Sequence, residues 1–234
     1  MNFDFSPEKI SVAVDMLLHD MPYALWETLY ATFVATLFAI IIGLPLGILL
    51  AVGGKDGIVR VPKWVLSAIG VIINLLRSVP FIILMVIVVP LTRVIVGTSI
   101  GTAASVVPLV IAAFPFVARL AESSIREVNP NIIEAAQSMG ASPFQIIVKV
   151  LIPECVPSLI SNLTIAFTTI LGYTAMSGAV GGGGLGNIAI MYGYQRYNYP
   201  VIVFAVVILI AVVQVFQSLG TFLSVKLDRR IKHK

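Results

Sequence analysis

The residues that most often carry out chemistry in proteins are few and far apart in this chain. Its two histidines, His19 and His233, lie near opposite ends, and Cys155 is its only cysteine. We find no Asp or Glu within the apolar runs and no GxxxxGK[ST] phosphate-binding loop. The sequence therefore predicts neither an intramembrane hydrolase nor a metal site, and it predicts that this chain binds no ATP itself.

One glycine-rich segment formally matches a dinucleotide-binding fingerprint, with Gly181, Gly183 and Gly186 at GxGxxG spacing. That fingerprint belongs between a strand and a helix of a soluble domain, whereas a long apolar run precedes Gly181. We therefore interpret the glycines as a flexible or close-packed break between membrane helices.

A stripe of small and polar residues is the other candidate for function. Its members recur three, four and seven apart, as residues on one helix face do. They are Ser158, Ser161, Asn162, Thr168, Thr169, Gly172 and Met176. Such residues inside a membrane either line a substrate path or hold helices together, and the sequence leaves both open. Our candidates for the path or its gate are Ser161, Asn162, Thr168, Thr169, Tyr173 and Met176.

Met176 and Arg77 have two interpretations each. Met176 suits a closed gate, since its side chain is pliable and apolar, but it also suits ordinary packing. Arg77 stands three residues before Pro80, which removes a backbone hydrogen bond and breaks a helix. Arg77 is then either a cap on the carbonyls that the break frees or a ligand for the substrate.

The composition places these residues in a membrane protein. Apolar residues make up 59% of the 234 residues, charged residues 11%, and the mean hydropathy is +1.03, whereas soluble domains carry about 25% charged residues. The net charge of +4 does not indicate a nucleic-acid partner, because three basic residues stand against four acids between Arg119 and Glu154. The sequence predicts one all-α membrane domain in contact with lipid.

We divide the chain into an arm, a membrane domain and a tail. The arm, residues 1–21, is an amphipathic helix that either lies on the membrane or packs against the other helices. The membrane domain covers 22–225, and residues 226–234 form a basic tail. Five spans are predicted, at about 22–52, 64–91, 103–125, 155–177 and 200–222, with a loop at 129–153.

Charge gives this arrangement an orientation. With five spans, eleven of the fifteen lysines and arginines fall on the side that carries the tail. Positive residues concentrate on the cytoplasmic side of membrane proteins. We therefore predict an outer N-terminus, a cytoplasmic C-terminus and a cytoplasmic loop 129–153.

That loop contains a helix, a sharp turn and a second helix. Asn129 can cap a first helix that begins at Pro130, and Gly140 supplies a left-handed residue to end it. Ser142 and Gln145 have the spacing of a capping box for the next helix.

The same loop resembles the EAA loop of binding-protein-dependent ABC importer permeases. Glu134-Ala135-Ala136, Gly140 and the segment Val150–Pro153 match its pattern in spacing, with Val150 and Ile152 as conservative departures. The resemblance implies that Glu134, Ala135, Ala136, Gly140 and Pro153 dock a cytoplasmic ATPase.

Further segments resemble permeases of methionine ABC importers in particular. They are Trp26–Leu29, Arg77–Leu84, Pro90–Gly101, Gly172–Met176, Gly178–Gly181 and Gly184–Gly186. The resemblance implies a type I importer permease in the bacterial inner membrane, a homodimer with two ATPase subunits that hold ATP and Mg²⁺, and an extracytoplasmic methionine-binding lipoprotein. No cofactor is expected on this chain. A permease for another amino acid or small polar substrate, a passive channel and an intramembrane enzyme are the alternatives.

Overall fold

The computed structural model describes residues 5–54 and 57–228, and these ranges form helices joined by short connections. The start of the predicted arm, residues 55–56 and residues 229–234 of the predicted tail lie outside the described residues. Ten α-helices occur within the ranges 5–54 and 57–228, in chain order: α1 Pro7–His19, α2 Met21–Val52, α3 Lys63–Ser78, α4 Phe81–Val96, α5 Thr102–Arg126, α6 Pro130–Ser138, α7 Pro143–Ile146, α8 Ile152–Ser177, α9 Gly184–Asn187 and α10 Tyr199–Leu227.

In the part of the chain that the structure describes, four helical stretches are long and apolar enough to cross a membrane, namely α2, α5, Pro143–Val180 and α10. The predicted second span, 64–91, falls on two helices, α3 and α4, which are bent by 111° at the break between them, where Pro80 was predicted to break the helix. Pro80 has no N–H to continue α3, and a residue before proline disfavours helical geometry. Counting the bent pair as one gives five candidate spans.

The helical residues form two compact units. The first consists of Met1–Leu37, Val79–Ala112 and Phe167–Phe216. Its core holds buried side chains of α1, α2, α9 and α10, including Ala13, Met16 and Leu185. The Lys9 ammonium also donates to the carbonyl of Tyr197 at 2.9 Å. Of the two interpretations of the arm, packing against other helices is therefore observed on one face of α1.

The second unit consists of Phe38–Ser78, Ala113–Ala166 and Gln217–Lys234. Its main core joins the end of α2, the end of α5, the loop helices α6 and α7 and the start of α8. The buried members are Val52, Ala121, Ile125, Val128, Ala136, Ile146, Leu151, Cys155 and Leu159. The loop 129–153 is therefore anchored in a hydrophobic core.

Close packing between α2 and α5 depends on two glycines in the second unit. A methyl group on Gly43 would lie 2.6 Å from the carbonyl oxygen of Phe114, and one on Gly47 would lie 2.7 Å from the Ala121 methyl. Because real contacts of this kind are longer, only glycine fits. The GxxxG spacing thus brings two helix backbones together, as such motifs do in membranes.

Gly47→Ala is expected to lower the free energy of unfolding by about 1–3 kcal/mol, since the added methyl overpacks this crossing. Thermal unfolding of the purified protein in detergent measures the change. Gly172→Ala is the matched control, because nothing lies within 4 Å of its added methyl group. Equal melting temperatures for Gly47→Ala and the parent would contradict the proposed packing role.

Candidate functional site

The predicted helix–turn–helix of residues 129–153 is present, with the expected residues at its ends. The Asn129 side chain accepts the backbone N–H of Asn131 at 3.0 Å at the start of α6. Gly140 has φ +78°, in the left-handed region. The Ser142 hydroxyl accepts the N–H of Gln145 at 3.4 Å, and the Gln145 side chain accepts the N–H of Ser142 at 2.9 Å. The capping box is therefore confirmed.

Several residues of this segment are exposed, and the largest of them are apolar. Met139 is 81% exposed, Phe144 73% and Ile132 39%, and Glu134 and Ala135 are exposed beside them. Large apolar side chains in contiguous exposed groups mark interaction surfaces or lipid contact. We call these five residues the coupling face.

Ala136 is the buried residue of α6. It is 4% exposed and packs into the same core as Ile146 and Leu151, with Ile133 partly buried against that core. The small Ala136 side chain therefore lets α6 approach its own chain, not a partner. Gly140 and Pro153 are exposed, and docking by the five predicted residues stays a prediction.

A wide π-helical turn over Ile147–Leu151 joins α7 to α8. Such turns hold one extra residue relative to an α-helix and occur often at functional sites. The apolar run through this region gave no sign of the insertion. The turn carries Leu151 into the core while Val148, on the other side, is 42% exposed.

The polar stripe on α8 divides into two groups. Near its start, the Asn162 amide donates to the Ser124 hydroxyl at 2.8 Å, and the Ser158 hydroxyl donates to Glu127 at 2.8 Å and lies 3.1 Å from the Ser124 hydroxyl. These bonds join α8 to α5. Ser158 and Asn162 therefore hold two helices together, which is one of the two interpretations of the stripe.

Other members of the stripe remain accessible. Ser161 and Gly172 are exposed, and Met176 is 47% exposed. The Tyr173 ring instead stacks on Phe81, with centroids 4.7 Å apart and an angle of 6° between the planes. The two threonines, Thr168 and Thr169, are half-buried.

A cavity of about 410 Å³ in the second unit brings Ser161 and Asn162 together. The carboxylates of Glu127, Glu154 and Asp228 also line it. The sequence spacing predicted that the two polar residues share a helix face, but it did not predict the surrounding carboxylates, which come from three different parts of the chain.

A carboxylate near the start of α2 has a structural role inside the first unit. Glu27 lies in α2, where one carboxylate oxygen accepts the Thr102 hydroxyl at 2.6 Å and the other accepts the Gly184 N–H at 2.9 Å. The neighbouring Thr28 hydroxyl oxygen accepts the Leu185 N–H at 2.9 Å. We call this set of hydrogen bonds the Glu27 clasp.

The clasp explains why the segment 181–186 is rich in glycine. Gly181 and Gly184 have φ of +91° and +83°, and a methyl group on Gly183 would lie 2.8 Å from a Glu27 carboxylate oxygen. The Gly181 carbonyl also accepts the N–H of Gly101 at 2.8 Å. The segment is therefore a close-packed break between helices.

The Arg77 side chain does not cap the break at Pro80. Its guanidinium carbon lies 6.0 Å from the centroid of the Phe116 ring. Within residues 5–54 and 57–228 it makes no hydrogen bond to a carbonyl, so the interpretation as a cap is wrong. No group of three or more metal-ligating side chains occurs in the part of the chain that the structure describes.

The class of protein that this fold and this segment define is a transport permease, in which helices long enough to cross a membrane carry an exposed helix–turn–helix. The chain belongs to the family of binding-protein-dependent transport system inner membrane components, whose model matches residues 43–233. Because members of this family are inner-membrane components of transport systems, the chain is a membrane transport subunit and not an enzyme.

Individual relatives agree with this assignment. The chain is 46% identical to the probable D-methionine transport system permease protein MetI of Vibrio cholerae, over 98% of this chain and 100% of that protein. It is 48% identical to the corresponding protein of Pasteurella multocida, over 87% of this chain and 94% of that one.

Solved structures give the same fold. A chain of the MetNI methionine ABC transporter in an inward-facing conformation superposes with a TM-score of 0.85, at 46% identity, over 87% of this chain and 94% of that chain. An amino acid ABC transporter chain superposes at 0.75 over 97% of this chain, at 20% identity, which shows the fold alone. The type I ABC importer permease fold is thereby confirmed.

Proposed function

We propose that this chain is the permease subunit of an ATP-driven methionine importer. The observation that carries the proposal is the exposed coupling face on a rigidly anchored helix–turn–helix. It stands together with identities of 46–48% to permeases described as transporting D-methionine. Apolar side chains such as Met139 and Phe144 need a partner surface, and an ATPase supplies one.

The coupling face receives the motion that nucleotide binding produces. Two ATPase subunits hold ATP and Mg²⁺, and each contacts the coupling face of one permease chain. Since Ala136 is buried in the same core as the ends of α2 and α5, a displacement of α6 moves those helices with it. ATP binding then opens the path outward, and hydrolysis returns it inward.

A second copy of the chain completes the path. The exposed Ser161, Gly172 and Met176 lie along one face of α8, and two such faces related by a two-fold axis would enclose a passage between them. In this arrangement the N-terminus is outside and the tail is cytoplasmic, and an extracytoplasmic methionine-binding lipoprotein delivers the substrate. Most of the selectivity for methionine resides in that binding protein.

The experiment is methionine uptake by proteoliposomes that contain the permease, its ATPase and its binding protein. We expect uptake only when ATP is on the side of the ATPase and the binding protein is on the other side. If the same complex takes up a different amino acid instead of methionine, that amino acid is the substrate. ATP-independent flux at the full rate would make the chain a passive channel and overturn the proposal.

A further inference from the structure

The three faces of α3 differ sharply in chemistry. Ile73 is buried, and at 100° per residue a broad arc on the far side carries exposed apolar side chains, namely Trp64, Val71, Ile72 and Leu75. Between these two faces lies a polar arc that spans about 100°. It consists of Ser67, Gly70, Asn74, Arg77 and Ser78, and all of them except the half-buried Gly70 are exposed.

A polar, exposed arc beside an apolar one has a simple physical interpretation. Apolar side chains such as Leu75 suit lipid, whereas the side chains of Asn74 and Arg77 are costly in contact with hydrocarbon. Membrane proteins direct such residues into a bundle interior or a water-filled cavity. The polar arc of α3 therefore faces an aqueous path.

An arginine of α5 forms hydrogen bonds with residues of this polar arc. Arg119 donates to the Asn74 side-chain oxygen at 2.9 Å and to the Gly70 carbonyl at 3.4 Å. Arg77 lies one helical turn beyond Asn74, over Phe116, which lies one turn from Arg119 on α5. The two guanidinium groups thus occupy adjacent turns of one groove between α3 and α5.

The charges in this groove do not balance. Glu122 pairs with Arg119 at 2.7 Å and with Arg126 at 2.9 Å, so one carboxylate already serves two arginines. Arg77 makes no ion pair with any residue in the ranges 5–54 and 57–228. An exposed guanidinium without an anion, next to a second cationic group, is suited to bind a carboxylate from solution.

We propose that Arg77, supported by Arg119, binds the α-carboxylate of the amino acid substrate during its passage. This inference rests on the proposed function, because it uses the carboxylate that every amino acid carries. Guanidinium and carboxylate form paired, parallel hydrogen bonds, so the site orients the substrate without contacting its side chain. The Phe116 ring holds the Arg77 side chain in place through a cation–π contact.

A local probe tests the site directly. We would replace Cys155 by Ala, place an environment-sensitive fluorophore on Ser67→Cys, and titrate the permease–ATPase complex in nanodiscs with L-methionine and with L-methioninamide. The label lies on the same polar arc of α3, so it reports this groove and not the other subunits. We expect methionine to change the fluorescence and the amide to bind about 10- to 100-fold more weakly, because it lacks the carboxylate.

Variants of the arginine then separate its role from general folding. Arg77→Gln is expected to weaken methionine binding about 10- to 100-fold and to remove the difference between methionine and the amide. Arg77→Lys keeps the charge and should retain part of the affinity. Arg196→Gln is the matched control, since Arg196 is also exposed and lies 4.4 Å from the centroid of a tyrosine ring.

Three results would overturn the proposal. They are equal affinity for the acid and the amide, unchanged methionine affinity in Arg77→Gln, and no response of the label at all. A response that depends on phosphatidylglycerol in the nanodisc, and not on methionine, would assign Arg77 to a lipid headgroup instead. Uptake by the unmodified complex is measured in parallel, so failure of this site is distinguished from failure of the proposed function.

Discussion

Gly140→Val will lower ATP-driven uptake sharply while the chain still inserts and folds. Gly140 has φ +78°, and the space around it is open, so only its backbone conformation requires glycine. A residue with a side chain costs about 1–2 kcal/mol there, which lowers the ratio of the native turn to its alternatives about 5- to 30-fold. Since the turn sets the direction of α6, the coupling face then meets its ATPase in the wrong orientation.

Uptake and ATP hydrolysis by the same proteoliposomes measure this effect. We expect hydrolysis to continue while uptake falls at least about fivefold. Gly140→Asn is the matched control, because asparagine adopts the left-handed conformation more readily than other non-glycine residues do. Full uptake by Gly140→Val would show that the turn does not transmit the motion, whereas loss in both variants would implicate the added side chain.

Glu27→Leu is expected to lower the free energy of unfolding of the permease by about 2–6 kcal/mol. The change leaves the buried Gly184 N–H and the half-buried Thr102 hydroxyl without an acceptor, and a group left unsatisfied in this way costs about 1–3 kcal/mol. Leucine is similar in size and apolar, so loss of the acceptor is the main change. Thermal unfolding measures the total, and hydrogen exchange at the Gly184 amide measures the local opening.

Glu27→Gln separates the hydrogen bonds from the charge. Its single side-chain oxygen can accept a hydrogen bond from one of the two donors. We therefore expect it to lower the free energy of unfolding less than Glu27→Leu does. If Glu27→Leu unfolds at the temperature of the parent and the Gly184 amide stays protected, the clasp does not hold the glycine segment.

The loop 129–153 was predictable because its folding is local. Asn129, Gly140 and the pair Ser142–Gln145 act through hydrogen bonds and backbone angles within a few residues, and each has the predicted geometry. The break at Pro80 was predictable for the same reason. Its bend was not, since the direction of the chain after a break depends on packing that local sequence does not specify.

The Glu27 clasp could not be predicted, because its partners are remote in sequence. Thr102 and Gly184 lie 75 and 157 residues away. A carboxylate next to an apolar run resembles any charged residue at a membrane boundary. The one available signal was the glycine-rich segment itself, which indicated that some group approaches its backbone closely.

The polar stripe on α8 shows a third limit of prediction from sequence. Helical spacing placed its members on one face, but a face can be polar for two reasons, and hydropathy does not distinguish them. Asn162 bonds to α5, while Ser161 and Met176 are exposed. Only the position of neighbouring helices separates a contact that holds helices from an exposed surface.

The segment 130–139 exposes Ile132 and Met139 and buries Ala136. Its outer residues can therefore change without disturbing the core that holds it, and its inner residues can change without altering what a partner sees. Exchange of the exposed side chains between two related permeases should therefore change which ATPase subunit binds, while the hydrophobic core stays intact. One short segment could in this way let a transporter acquire a different ATPase during evolution while its membrane domain stays the same.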